Sequence, residues 1–312
     1  MNRIPVALVF PGQGTQKQGM GEPWRDTPSW SLTEEISAVT GEDLAELLLH
    51  TPAERLRRTD LAQLAVFTVA AMAHAEAVRT GALGGPVVAC AGHSLGEYAA
   101  LTAAGALGLR RAAELVAARG RAMREAALAR EGTMGVLVAA PLDQVEALVA
   151  EIRAEGADVW VANVNAPGQT VVSGSVEGVA ETGERAGSIG GRMLRLDVGG
   201  AFHSPFMAPA AEALSRELAR TAFTPEHLPV VANVDAAPHT DGRVWQRLGV
   251  QQLTSPVRWE DSVRALGRLG CRRLVELGPG RTLAGLIRRI DPEAEVVSFD
   301  GPAAFAPPVT DR

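Results

Sequence analysis

Short apolar runs alternate along the chain with longer stretches in which Ala and Leu recur every three or four positions. The runs predict strands at 6–10, 87–91, 134–139, 158–164, 170–173, 193–198, 229–232 and 273–277, and the stretches between them predict helices. Strands alternating with helices point to an α/β protein with a mostly parallel sheet. From Thr133 the order changes to strand (MGVLVA), helix (LDQVEALVAEIRAEG), strand (DVWVANV), turn, strand (TVVSGS), helix (VEGVAETGERAG) and strand (RMLRLDV). This β-α-β-β-α-β succession is the ferredoxin-like order. It predicts a small subdomain at 132–199, inserted into a larger domain made of 1–131 and 200–300, with a ligand cleft between the two. Residues 301–312, GPAAFAPPVTDR, carry no periodic pattern and predict a loose C-terminal tail.

Composition narrows the function. The 312 residues carry 30 basic and 36 acidic side chains, a net charge of −6, so the basic surplus of a nucleic-acid binder is lacking. Lys17 is the sole lysine, which leaves little room for a Schiff-base or phosphate-loop lysine. Two cysteines, Cys90 and Cys271, make no disulfide framework, and no Cys/His cluster has metal-ligand spacing. The longest apolar run, 64–73, ends at His74 and is too short to span a bilayer. The N-terminal MNRIPVALVFPGQG reads as a strand and turn rather than a secretory signal. The expectation is a soluble, reduced, cytoplasmic protein with no nucleic-acid or membrane partner.

One motif carries chemistry. Gly92-His93-Ser94-Leu95-Gly96 matches G-x-S-x-G, with the apolar run PVVACA before it and a helix-forming run after it. Strand, tight turn and helix form the setting of a nucleophile elbow. The competing reading is a glycine-rich turn with a capping serine. A serine hydroxyl needs a base. Of six histidines, His50 and His74 fall in helical stretches, His227 and His239 in Pro-rich loop sequence, and His93 inside the motif. His203 follows Gly-Gly-Ala-Phe and precedes Ser204-Pro205, a helix start, which places it at the cleft edge; a surface loop histidine is the alternative. Arg119 shares a helical stripe with Ala112, Leu115, Val116, Met123, Ala126 and Ala127, whereas Arg121 and Arg124 fall off it. A buried guanidinium demands an anion, either a ligand carboxylate or an internal glutamate.

Five segments together resemble the malonyl-CoA:acyl-carrier-protein transacylases and the acyltransferase domains of polyketide synthases. They are PGQGTQ at 11–16, GHSLGEYAAL around Ser94, GAFHSPFM at 200–207, QLTSPVRW at 252–259 and ELGPGRTLAGL at 276–286. The resemblance implies a hydrolase-like α/β domain bearing a ferredoxin-like subdomain. It implies Ser94 as the acylated nucleophile, His203 as its base, and the backbone N–H groups of Gln13 and Leu95 as the oxyanion hole. It also implies that the Gln252 carbonyl orients the histidine in place of an acid, and that Arg119 pairs with the malonyl carboxylate. His93 precedes the serine as in the family. Arg192 falls where the family has basic residues near the cofactor phosphates, although Gly191 replaces a neighbour that is often basic. Phe202, beside His203, would crowd an α-substituent and favour malonyl over methylmalonyl, or else it packs the cleft wall.

The implied activity is ping-pong transfer of malonyl from CoA to the phosphopantetheine thiol of an acyl carrier protein. The CoA thioester is a substrate, and no cofactor or metal is bound; a monomer is expected. Other readings remain at this stage, the first an acyltransferase for another extender or acyl unit. In a serine hydrolase or editing thioesterase, water would be the acceptor, but the usual late histidine and triad acid are not evident. A non-catalytic docking component would be expected to lose Ser94, His203 or Arg119. Cys90, in the strand before the elbow, reads as a small buried residue.

Overall fold

The computed structural model describes residues 4–305. Its strands are β1 (Val6–Phe10), β2 (Val87–Gly92), β3 (Thr133–Val138), β4 (Val159–Ala166), β5 (Gln169–Gly174), β6 (Arg192–Arg195), β7 (Glu226–Val231), β8 (Pro238–Asp241), β9 (Val257–Arg258), β10 (Arg273–Leu277) and β11 (Glu295–Phe299). They form two sheets within a mixed α/β architecture.

The larger sheet runs β11-β10-β1-β2-β7-β8, parallel throughout except for the antiparallel edge strand β8. Strand β1 sits inside it and is buried at every position, as a strand covered on both faces must be. Its side chains alternate between two cores. Val6, Leu8 and Phe10 face the large helical layer, while Ala7 and Val9 face the layer containing Trp259, Leu266 and Ile287. The helix Thr59–Thr80 runs through the large layer. By length and composition it could cross a membrane, yet 78% of its most apolar window is buried inside the protein. The apolar run at 64–73 is therefore the middle of a longer core helix.

The smaller sheet runs β6-β3-β5-β4-β9. Each of its first four strands runs antiparallel to its neighbours among them. The helices Leu142–Ala154 and Val176–Arg185 join them in the order read from the sequence. Val145, Leu148, Val149 and Ile152 recur at helical spacing and pack with Leu137 and Val172 into a core separate from the large one. The neighbouring positions Met134, Val136 and Val171 point the other way, into a cleft. The two-residue strand β9, from far down the chain, completes this sheet by pairing parallel to β4. The sheet therefore reaches beyond the inserted segment.

Three expectations need correction. The expected strands omit β8, β9 and β11: β8 (PHTD) and β9 (VR) carry no apolar run, whereas β11 (EVVSF) does carry one. His227 and His239 lie in β7 and β8, both packed on Trp245, rather than in loops. The segment Pro302–Phe305 is a 3-10 turn with Phe305 stacked on Phe299 at 4.5 Å, so the expected loose tail is anchored at its start; residues 306–312 lie outside the described residues.

Candidate active site

The segments after β1 and β2 both lead into the cleft, as ligand sites in parallel sheets do at the carboxyl ends of the strands. After β2 the chain turns sharply through His93 and Ser94 into the helix Gly96–Ala103. A Cβ at Gly92 would lie 1.9 Å from the Gly96 carbonyl carbon, and one at Gly96 would lie 2.1 Å from the Phe10 oxygen. Both motif glycines are thus required by close backbone approach. Ser94 sits at φ 52°, a conformation non-glycine residues rarely hold. Its N–H donates to Asn233 Oδ1 at 2.7 Å, and Asn233 Nδ2 donates to the Gly92 carbonyl, so one amide spans the turn.

His203 also has positive φ, 57°. Ser204 caps the 3-10 turn Pro205–Met207 that follows, and the helix Ala208–Ala219 continues from it. The imidazole is 4% exposed and lies with Nε2 2.7 Å from Ser94 Oγ and Nδ1 2.9 Å from the Gln252 carbonyl oxygen. A carbonyl only accepts, so Nδ1 carries the proton and Nε2 presents its lone pair to the serine hydroxyl. Burial and the nearby Arg119 charge push the His203 pKa down to about 3, so the ring is neutral near pH 7. Among the described residues no carboxylate bonds this histidine; a backbone carbonyl orients it.

Arg119 is 1% exposed. Its Nη1 donates to Gln63 Oε1 at 2.8 Å, and its Nη2 to Gln252 Oε1 at 3.0 Å and to Ser94 Oγ at 3.1 Å, while Nε has no partner. Among the described residues no carboxylate lies within ion-pair distance of it, so the internal glutamate pair weighed from the sequence is not what holds it. Desolvation lowers its pKa. The guanidinium is thus a buried cation fixed by neutral oxygens beside the nucleophile, which suits it to an incoming anion.

These groups line a cleft of about 400 Å³ between the two sheets. Gln13, half-buried, lines it from the turn after β1, and Phe202 lines it beside His203. Among the described residues, neither the Gln13 nor the Leu95 backbone N–H donates within the protein. Val136 and Val171 face them from the smaller sheet. His93 lines the cleft too, its Nε2 2.9 Å from Asn165 Oδ1 and its ring tilted against Trp259. Arg192 lies exposed on the edge strand β6, outside the residues that line the cleft. At the cleft wall, Arg57 pairs with Asp197 at 2.8 Å. Cys90 is buried, its thiol pushed up to about 12 by desolvation, in keeping with a packing role.

Sequence reasoning missed Gln63, Glu97 and Asn233. Glu97 follows the motif directly and is 2% exposed; its Oε1 accepts from the Asn233 backbone N–H at 2.7 Å and its Oε2 from Gln252 Nε2 at 2.6 Å. The one available signal was a polar residue set in an apolar helical run, which holds for Gln63 in LAQLAVF and for Glu97 in GEYAAL.

Residues 7–292 match the family model described as acyl transferase domain. A malonyl CoA-acyl carrier protein transacylase of Salmonella typhimurium is 38% identical, with 97% of this chain and 98% of that protein covered. Among solved structures, the malonyl CoA-acyl carrier protein transacylase of Coxiella burnetii superposes with a TM-score of 0.91 at 35% identity, covering 97% and 96% of the two chains. A malonyl-transacylase solved in complex with its type II polyketide-synthase acyl-carrier protein superposes with a TM-score of 0.90 at 34% identity, covering 96% and 97%.

Proposed function

Because the chain belongs to the acyl transferase domain family, we infer that it moves a malonyl group from CoA to the phosphopantetheine thiol of an acyl carrier protein, in fatty-acid or polyketide synthesis. Relatives over nearly the whole chain bear that activity in their names, and one is solved with its carrier protein. The observation that carries the reading to this chain is Arg119, a buried cation with no carboxylate partner, 3.1 Å from Ser94 Oγ.

In the first half-reaction, neutral His203 takes the Ser94 proton through Nε2 as Oγ attacks the thioester carbonyl. The oxyanion is received by the amides of Gln13 and Leu95, each such donor being worth about 3 kcal/mol to the transition state. The tetrahedral intermediate collapses, the carbon–sulfur bond breaks, and CoA leaves as its thiol with the proton that His203 held. The carrier thiol then attacks the malonyl-serine ester, His203 taking its proton and returning one to Ser94 Oγ. Arg119 grips the distal malonyl carboxylate with paired hydrogen bonds and turns the thioester toward Ser94. Phe202 at the cleft wall favours malonyl over branched units, and His93 supports the wall beside the serine. Arg192 stands apart from the cleft and meets at most the outer phosphates of CoA.

The chain order and the strand order of the smaller sheet support reading 132–199 as a ferredoxin-like subdomain on a hydrolase-like domain of 1–131 and 200–300. The chemistry so written needs no bound cofactor, and it fits a monomer working in the cytoplasm.

The test is product analysis. With malonyl-CoA and a carrier protein bearing its phosphopantetheine arm, the expected product is malonyl-carrier protein. Free malonate as the main product would replace the transferase reading with a hydrolase.

A further inference from the structure

Glu97 is a fully buried carboxyl for which the acyl-transfer steps have no use. It lies in the first turn of the helix Gly96–Ala103. Burying such a group costs several kcal/mol unless its oxygens are bonded, and both of them are. Its two partners hold the reacting groups. Asn233, bonded through its backbone N–H, fixes the Ser94 amide and the Gly92 carbonyl with its side chain. Gln252, bonded through Nε2, orients His203 with its backbone carbonyl and Arg119 with its Oε1. The residues so joined lie 136 and 155 positions along the chain from Glu97.

We propose that Glu97 is the positioning acid of this site: its carboxylate, acting through Gln252 and Asn233, aligns His203 with Ser94 and supplies the negative charge that offsets Arg119. The inference rests on Ser94 being the nucleophile, as read above. The hydrogen-bond chemistry calls for the ionised form. Both partners are N–H donors, so each carboxyl oxygen must accept. A protonated acid or an amide would aim a hydrogen at a group that can only donate. The charged groups facing Glu97 are Arg119, from the helix Leu109–Ala129, and Asp235, from the turn after Asn233; Tyr98 follows it along its own helix. Burial, opposed by the two bonds and by Arg119, pushes the Glu97 pKa up to about 7. His203 titrates far lower. Activity therefore rises as pH climbs through neutrality, and the acid limb of the profile belongs to Glu97.

The test is steady-state malonyl transfer by the full chain, wild type against Glu97→Gln, from about pH 5.5 to 8.5, which spans the acid limb, with circular dichroism and thermal melting alongside. Glu97→Gln should melt cooperatively and lose kcat on the order of 100-fold, the size of a misaligned nucleophile and base. Its KM for malonyl-CoA should stay within about threefold, since Arg119 still faces the substrate carboxylate, and its acid limb should vanish. Unchanged kcat per folded molecule, or a surviving acid limb, overturns the proposal. If Glu97→Gln does not fold, Glu97→Asp decides: reduced kcat with the limb kept supports it, and a lost limb overturns it. Ser94→Ala serves as control. Transfer persisting there would sink the nucleophile assignment instead, so the two failures stay distinct.

Discussion

Ser94 and His203 both adopt positive φ, at 52° and 57°, and their side chains meet at 2.7 Å. Neither is a residue that tolerates this backbone freely, so the surrounding bonds must hold them there. Asn233 does so for the serine, and the Gln252 carbonyl orients the histidine ring. Arg119 completes the group as the sole buried arginine among the described residues. Substituting it leaves Gln63 and Gln252 without their donor and the cleft without its buried cation. Arg119→Ala is expected to lose malonyl loading by about two orders of magnitude, the worth of a bidentate charge-assisted contact, while keeping acetyl loading. Competition between malonyl-CoA and acetyl-CoA, read by intact mass, checks this; equal loss for both would remove the carboxylate grip from the account. At this scale the sequence was informative where a residue broke a pattern. Arg119 stood on an apolar stripe, and His203 stood between glycines and a helix cap. Asn233 was opaque, and the partners of Glu97 with it, because their bonds join segments more than a hundred residues apart and leave no periodic mark.

The elbow depends on two close approaches that no side chain can share, one between Gly92 and Gly96 and one between Gly96 and the end of β1. Gly96→Ala puts a Cβ 2.1 Å from the Phe10 oxygen, and the Phe10 backbone is held in place by its pairing with Gly92 in β2. A loss of roughly 3 kcal/mol or more is expected, as for strain forced on a packed core. Chemical denaturation should show a lower midpoint for Gly96→Ala, and acylation should be impaired in whatever remains folded; wild-type behaviour in both would show the turn to be looser than described. Elements were legible where the hydrophobic period was clean. β1 and β10 match their expected spans, and the inserted β-α-β-β-α-β order is found as read. The misses have physical causes. β9 has two residues, too few for a period, and exists only because β4 offers it an edge. β6 stops at Arg195, short of the expected 198, where its pairing with β3 ends. Phe305 packs although its neighbours are Pro, Ala and Gly, because Phe299 and Trp24 present apolar faces to it.

In the whole molecule, the two sheets make a cleft with unlike walls. The larger sheet brings the nucleophile, and the smaller one brings apolar Val136 and Val171 with the amides Asn163 and Asn165. Among the described residues, the wall from the smaller sheet holds no charged side chain of its own strands, and the buried cation Arg119 lies on the opposite side. The order of strands and helices over 133–195 was readable from the chain, and the cleft lies beside the sheet they form. What stayed hidden was the sharing of the smaller sheet with β9, which pairs with β4 beside the cleft-lining Asn163. In the proposed function one covalent event is central, the transfer of an acyl group to a hydroxyl held between an imidazole and a guanidinium. The measurement that tests it most directly is intact-protein mass after brief exposure to malonyl-CoA without carrier protein. Wild type should gain the mass of one malonyl group, lost again when carrier protein is added, and Ser94→Ala should gain none. A Ser94→Ala protein that takes up the same group, or a wild type that stays unmodified while still producing malonyl-carrier protein, would contradict the acyl-serine account.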